Sequence, residues 1–268
     1  GGMLLHNAAG KRFVDVTVSA GIDIQAWGTS CAFADIDNDG HLDLFVGNYL
    51  KFDPAHSNRL CVNNGVETSC GPSRYDPEFG TLYHNDGRRF HNATRQWIAT
   101  TVGKILGAAF ADYNGSGRQS LYLANDGRAG ELLRNTPVSF EDVGAKSGTA
   151  YDSRGATHAG MGVDWGDYDN DGKLDLVVAT FRNEPKCIYH NLGKGFFEEQ
   201  GSRIGVGSWT LPFVAFGVKW IDLDNDGWLD LMITNGHVQD NIHDVDPSAS
   251  FGQPMQVFQN VSGASLKN

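Results

Sequence analysis

The apolar positions of this chain fall in short runs, and the polar segments between them repeat. Three segments share a loop of the form Asp-x-Asp-x-Asp-Gly-x-x-Asp that leads into a run of β-favouring residues. They are Asp35-Ile-Asp37-Asn-Asp39-Gly40-His41-Leu-Asp43 before Leu44-Phe-Val46, Asp167-Tyr-Asp169-Asn-Asp171-Gly172-Lys173-Leu-Asp175 before Leu176-Val-Val178, and Asp222-Leu-Asp224-Asn-Asp226-Gly227-Trp228-Leu-Asp230 before Leu231-Met-Ile233. A decayed copy, Asp112-Tyr-Asn114-Gly-Ser116-Gly117-Arg-Gln-Ser120 before Leu121-Tyr-Leu123, stands between the first and the second. The four loops begin at residues 35, 112, 167 and 222, so they are 77, 55 and 55 residues apart.

A second motif alternates with the loops: Leu5-His6-Asn7, Tyr83-His84-Asn85, Leu133-Arg-Asn135, Tyr189-His190-Asn191 and Phe258-Gln-Asn260. Most copies precede an aromatic run beginning at Phe13, Phe90, Phe140 or Phe196. Each repeat of about 55 residues therefore holds four short strands separated by turn residues, and no long stretch has the 3.6-residue period of a helix. Tandem units of four strands predict an all-β fold, a β-propeller of four-stranded blades with the Asp loops between the first and second strands. The longer first spacing places an excess of 22 residues around 50–80, a surface excursion from one blade. A second long linker runs from Gly236 to Pro254.

Loop positions 1, 3, 5 and 9 carry side-chain oxygens, position 6 is a Gly that permits a sharp bend, and position 7 (His41, Lys173 or Trp228) can offer its carbonyl. Hard oxygen donors without Cys fit Ca²⁺ and disfavour zinc or copper. Four carboxylates this close repel one another unless a cation intervenes. An EF-hand is excluded at position 12, where a bidentate acid is required and Val46, Val178 or Ile233 stands instead. Each ion would join two strands, in a structural role rather than a sensor role. In the decayed loop Asp112, Asn114, Ser116 and Ser120 keep oxygens but only one carboxylate, and either a fourth ion or a metal-free turn satisfies that sequence.

The formal net charge of −11 over 268 residues argues against nucleic-acid or anionic-membrane surfaces, which require clustered Lys and Arg. Three Ca²⁺ ions would offset about half of that charge. The longest apolar run is too short to span a bilayer, and no secretion signal stands at the start of this sequence. Cys61 and Cys70 close a short polar loop and suit a local disulfide, which implies an oxidising compartment. Cys31 and Cys187 lie in apolar runs and are expected to be buried free thiols.

The joined motifs, Asp-x-Asp-x-Asp-Gly-x-x-Asp-Leu with Leu-Tyr-x-Asn-x-Gly-x-Phe, resemble the FG-GAP or VCBS repeat, the calcium-bearing blade also found in integrin α-subunits. Cys61-(x)8-Cys70-Gly71-Pro72 followed by Leu82-Tyr83-His84-Asn85-Asp86-Gly87 resembles the propeller of bacterial proteins related to cartilage acidic protein, often called ASPIC/UnbV proteins. Asn235-Gly236-His237, Gln253-Pro254 and Phe258-Gln-Asn260 also match that group. The resemblance covers essentially the whole chain, departs from the group in its decayed second loop, and lacks the C-terminal ASPIC/UnbV segment. It implies a secreted, periplasmic or cell-surface propeller that binds calcium and serves adhesion or assembly.

Enzymatic signatures such as HExxH, GxSxG, a P-loop or GxGxxG after a strand are missing from the sequence. His6, His84 and His190 share one repeat position, which points to architecture. His237, at a strand end, and Asp240 are the candidates for a propeller enzyme. Trp165 and Trp220 are expected to pack between blades, and Trp228 to face solvent as a contact residue. The leading expectation is a non-enzymatic, calcium-stabilised interaction module with a protein partner or an extracellular assembly. The alternatives are an enzyme or lectin acting on polysaccharide.

Residues 3–7 and 13–16 read as the last two strands of one blade, and residues 216–260 as the first three strands of another, with no aromatic fourth strand in 261–268. The expectation is an arc of a larger propeller, seven-bladed if the resemblance holds.

Overall fold

The computed structural model describes residues 2–57, 59–99 and 101–268. Strand β1 (Leu5–Asn7) pairs antiparallel with β2 (Phe13–Asp15) in a two-stranded sheet. Four-stranded antiparallel sheets follow in chain order. The first opens with β3 (Gly28–Ala34) and β4 (Asp43–Asn48), sends out a separate hairpin of β5 (Leu60–Asn63) and β6 (Val66–Ser69), and resumes with β7 (Thr81–Asn85) and β8 (Phe90–Asn92). The second comprises β9 (Ile105–Ala111), β10 (Ser120–Asn125), β11 (Glu131–Asn135) and β12 (Phe140–Asp142). The third comprises β13 (Val163–Gly166), β14 (Asp175–Val178), β15 (Cys187–Gly193) and β16 (Phe196–Glu199), and the fourth β17 (Ala215–Ile221), β18 (Asp230–Asn235), β19 (Gln256–Val261) and β20 (Ser265–Lys267). Among the described residues, α-helix is confined to the four-residue turns Thr94–Trp97, Gly144–Ser147, Gly207–Thr210 and Ile242–Val245.

The second strand of each sheet explains how the sheets stack. Successive side chains of a strand point to opposite faces, and here each face meets a different neighbour. Leu121 and Leu123 of β10 pack with Phe45 and Leu82 of the first sheet, while Tyr122 and Ala124 pack with Leu176 and Tyr189 of the third. Along β14, Leu176 and Val178 turn back to the second sheet, and Val177, with Ala179 just past the strand, turns forward to Leu231 and Ile233 of the fourth. These strands are therefore apolar on both faces rather than alternating, as burial between two layers demands. Trp165 stacks on Tyr113 at 6.1 Å and Trp220 on Tyr168 at 5.5 Å, so both lie between sheets as expected.

Two expectations are corrected. The fourth sheet has its own last strand. The turn at Ser262 and Gly263 (φ 52° and 73°) returns the chain as β20, and buried Leu266 takes the core place that an aromatic residue fills elsewhere. Cys187 is buried, but Cys31 is exposed, because it lies beside Val46 on the face of the first sheet opposite the one that packs on the second sheet.

The excursion at 50–80 carries the expected disulfide between Cys61 and Cys70, with Cα atoms 5.0 Å apart. It is nevertheless docked. Asn64 Nδ2 donates to the Val245 carbonyl at 3.1 Å, Asn241 Nδ2 donates to the Glu67 carbonyl at 2.8 Å, and Gln239 bonds to the main chain of Ser69. The hairpin of the first sheet thus clasps the 236–254 linker of the fourth. That linker is also held from the third sheet, by Arg182 on Asp246 at 2.5 Å and on Ser248 at 2.8 Å.

Candidate metal-binding loops

Each Asp loop joins the first and second strands of its sheet, and the three intact copies share one hydrogen-bond scaffold. The position-1 carboxylate accepts two main-chain N–H groups. Asp35 takes those of Asp39 and Gly40 at 3.1 and 2.9 Å, Asp167 those of Asp171 and Gly172 at 3.0 and 2.9 Å, and Asp222 those of Asp226 and Gly227 at 3.1 and 3.0 Å. Asp39, Asp171 and Asp226 at position 5 accept the N–H of His41, Lys173 and Trp228. Asp43, Asp175 and Asp230 at position 9 are buried and accept the N–H of position 2, from Ile36, Tyr168 and Leu223. The bend needs left-handed backbone twice, at Asn38, Asn170 and Asn225 (φ 57–63°) and at Gly40, Gly172 and Gly227 (φ 84–89°). The role of the position-4 Asn was missed from sequence, although its repetition was a signal.

This scaffold converges carboxylates. One oxygen each from Asp35, Asp37 and Asp43, from Asp167, Asp169 and Asp171, and from Asp222, Asp224 and Asp226 lies within 4.8 Å of the others. Burial pushes the Asp43, Asp169 and Asp175 carboxyls up, and a neighbouring carboxylate adds to each: Asp37 for Asp43, Asp171 for Asp169, and Asp169 for Asp175. Asp37 Oδ1 and Asp169 Oδ1 are buried without a hydrogen-bond partner among the described residues. A buried acceptor with nothing to accept is costly. A hard divalent cation would satisfy both the orphaned oxygens and the repulsion, so the residues present fit Ca²⁺.

The fourth loop keeps the scaffold with fewer charges. Asp112 accepts the Ser116 and Gly117 N–H groups at 2.8 and 2.7 Å, Asn114 also accepts from Ser116, and Ser116 Oγ accepts from Arg118. Asn and Ser oxygens thus hold the turn by themselves.

The second motif closes each loop. The Asn N–H donates to position 9, from Asn85 to Asp43, Asn191 to Asp175 and Asn260 to Asp230, each at 2.8 Å. Its side-chain amide reaches back to the loop of the preceding sheet: Asn135 to the Ile36 carbonyl at 2.7 Å, Asn191 to that of Tyr113 at 2.9 Å, and Asn260 to that of Tyr168 at 2.7 Å. The residue before Asn covers the loop. His84 Nε2 lies 3.0 Å from Asp37 Oδ2, His190 Nδ1 lies 3.4 Å from Asp169 Oδ2, and Gln259 Nε2 donates to Asp224 Oδ2 at 2.9 Å. Arg134, at the same position beside the decayed loop, pairs instead with Glu141.

The position-7 side chains do not all face solvent. His41 and Trp228 lie over the turn that follows the Asn, where a Cβ on Gly87 would come 2.5 Å from His41 Nε2 and one on Gly263 2.8 Å from the Trp228 ring. Trp228 is accordingly half-buried, and Lys173 pairs with Asp171. His237 is buried against Phe181 with ring centres 5.6 Å apart, and its Nδ1 accepts the Gln239 N–H at 3.1 Å, while Asp240 lies exposed.

The family model of the FG-GAP-like repeat matches residues 167–233, the stretch that holds the second and third intact Asp loops. The chain is 25% identical over 259 residues to cartilage acidic protein 1 of Mus musculus, covering 87% of this chain and 36% of that protein. It is 24% identical over 266 residues to cartilage acidic protein 1 of Homo sapiens, covering 76% and 38%. The chain spans little more than a third of the length of these curated relatives. Solved structures it is similar to include an Agrocybe aegerita lectin that recognises non-reducing terminal N-acetylglucosamine (14% identity, 96% of this chain and 70% of that one, TM-score 0.41). Another is the exotype rhamnogalacturonan lyase YesX (11% identity, 90% and 48%, TM-score 0.42).

Proposed function

We propose that this chain is a non-enzymatic, calcium-stabilised β-propeller module that presents an interaction surface to a protein partner or an extracellular assembly. The observation that carries the metal reading is the orphaned, buried oxygen of Asp37 and of Asp169, each inside a carboxylate cluster built by the same main-chain scaffold. The interaction reading draws on what the fold does with its polar residues. The repeated histidines cover the loops, and His237 is occupied by packing and by a main-chain hydrogen bond. The Cys61–Cys70 disulfide suits a secreted, periplasmic or cell-surface setting.

Calcium would act by mass action on folding. An ion that binds only the folded loop stabilises by RT ln(1 + [Ca]/Kd), about 2.7 kcal/mol per site at 100 Kd. The test is thermal melting with EDTA and then with excess Ca²⁺, together with elemental analysis of the purified protein. The melting temperature should fall and recover. An unchanged melt with no bound calcium overturns the metal reading. The interaction reading is tested by what co-purifies with the chain from its native source.

A further inference from the structure

At the base of the clasped hairpin lies a pocket of about 450 Å³. Its charge runs against that of the molecule. In a chain of net charge −11, Lys51, Arg59 and Arg74 converge on this one cleft, with His56 beside them and Asp76 as the carboxylate in the lining. Among the described residues, the Lys and Arg with a carboxylate oxygen within 4.0 Å are Arg134, Arg154, Lys173, Arg182 and Lys219, so the three permanent cations of this cleft, like most Lys and Arg of the chain, carry no carboxylate partner. Cationic groups left unpaired in a concave site favour an anion there. Arginine adds a planar fork suited to a carboxylate or sulfate.

The walls narrow the class of ligand. Tyr75 is half-buried, its hydroxyl donates to the Ser57 carbonyl at 3.2 Å, and its ring lies 5.9 Å from that of Phe52, so a fixed apolar face stands beside the cations. Leu60 and the Cys61–Cys70 disulfide also line the pocket. A pocket of this volume takes a compact ligand of one or two rings rather than an extended chain. The geometry points to an anionic saccharide: a sugar ring laid against Tyr75 and Leu60, with its carboxylate or sulfate held by Arg59, Arg74 and Lys51. This names a ligand for the interaction module proposed above and rests on that reading, but the pocket is separate from the Asp loops, so its failure leaves the calcium test untouched.

The experiment is calorimetric titration of the calcium-saturated chain with oligogalacturonate, a sulfated chondroitin disaccharide, neutral oligosaccharides of matched size, and a hexaglutamate peptide. The uronate or the sulfated sugar should bind, and whichever binds more tightly identifies the oxyanion. Binding should weaken several-fold between 50 and 500 mM salt, as contacts to charged groups do. Arg59→Ala with Arg74→Ala should lower affinity at least tenfold without shifting the melting temperature, since both side chains are exposed. Restoring charge with Lys at both positions should recover only part of it. The proposal is overturned if no anionic sugar binds, if neutral sugars bind equally, if only hexaglutamate binds, or if the double variant binds like the wild type.

Discussion

Gln239 holds Ser69 by both ends of its amide: Oε1 accepts the Ser69 N–H at 3.1 Å, and Nε2 donates to the Ser69 carbonyl at 2.9 Å. This is the pair of bonds a neighbouring strand would make, supplied by one side chain at the end of β6. Ser69 precedes Cys70, so the disulfide fixes the end of the hairpin that Gln239 grips.

Gln239→Ala should therefore loosen the hairpin more than the rest of the molecule. Losing two hydrogen bonds costs about 1–3 kcal/mol locally. Amide exchange at Ser69 should quicken roughly tenfold or more, while exchange in β14 stays unchanged. Uniform exchange rates in the variant and the wild type would show that the clasp does not hold.

The Asn of the second motif should matter according to whether it has a preceding sheet to reach. Asn191 is buried and donates to both the Tyr113 and the Leu174 carbonyls. Among the described residues, the side-chain amide of Asn85 donates to Leu42 alone, in its own loop. Asn191→Ala should cost about 2–4 kcal/mol in chemical denaturation, and Asn85→Ala about 1 kcal/mol. Equal costs would remove the sheet-to-sheet role assigned to this amide.

These latches show what the sequence disclosed and what it hid. The loops, their following strands and the aromatic starts of β2, β8, β12 and β16 were legible because they rest on local chemistry, namely Asp-Gly spacing and apolar runs. The Cys61–Cys70 bond was legible for the same reason. The contacts of His84 with Asp37 and of Gln239 with Ser69 were not, since they join residues 47 and 170 positions apart. Strand β20 was overlooked because Leu266 replaced the expected aromatic residue, and a buried side chain needs only the right volume and polarity. Cys31 was assigned to the interior on its apolar neighbours alone, and such a run does not say whether another sheet covers it.

Within the loops, Lys173 sets up a contest. Its ammonium pairs with Asp171, lowering that carboxyl and raising its own pKa. A calcium ion must displace it, whereas the other two intact loops carry no Lys at this position. Lys173→Gln should tighten calcium binding at that loop by about two- to fivefold, the worth of an exposed ion pair. Asp37→Ala, Asp169→Ala and Asp224→Ala should each remove one ion from the stoichiometry. Calorimetry with calcium checks both, and an unchanged affinity in the Lys173 variant would mean that its ammonium swings clear without cost.

The last expectation concerns acid. His158 is buried at 2% exposure, its Nδ1 has no partner among the described residues, and burial pushes its pKa down to about 4, with Asp152 pulling weakly the other way. In the unfolded chain it titrates near 6.5. Between these values the unfolded state binds the extra proton, so stability rises with pH. The contribution is complete above about pH 6.5 and lost as pH falls towards 4; its full size is on the order of 3 kcal/mol. His158→Leu keeps an apolar side chain there and abolishes the titration. Relative to wild type, the variant should gain stability steadily from pH 7 to pH 4. Glu131, pushed up to about 7 by burial, titrates in both proteins and cancels in that difference. A difference between the two melting curves that stays flat across this range would show that His158 protonates in place.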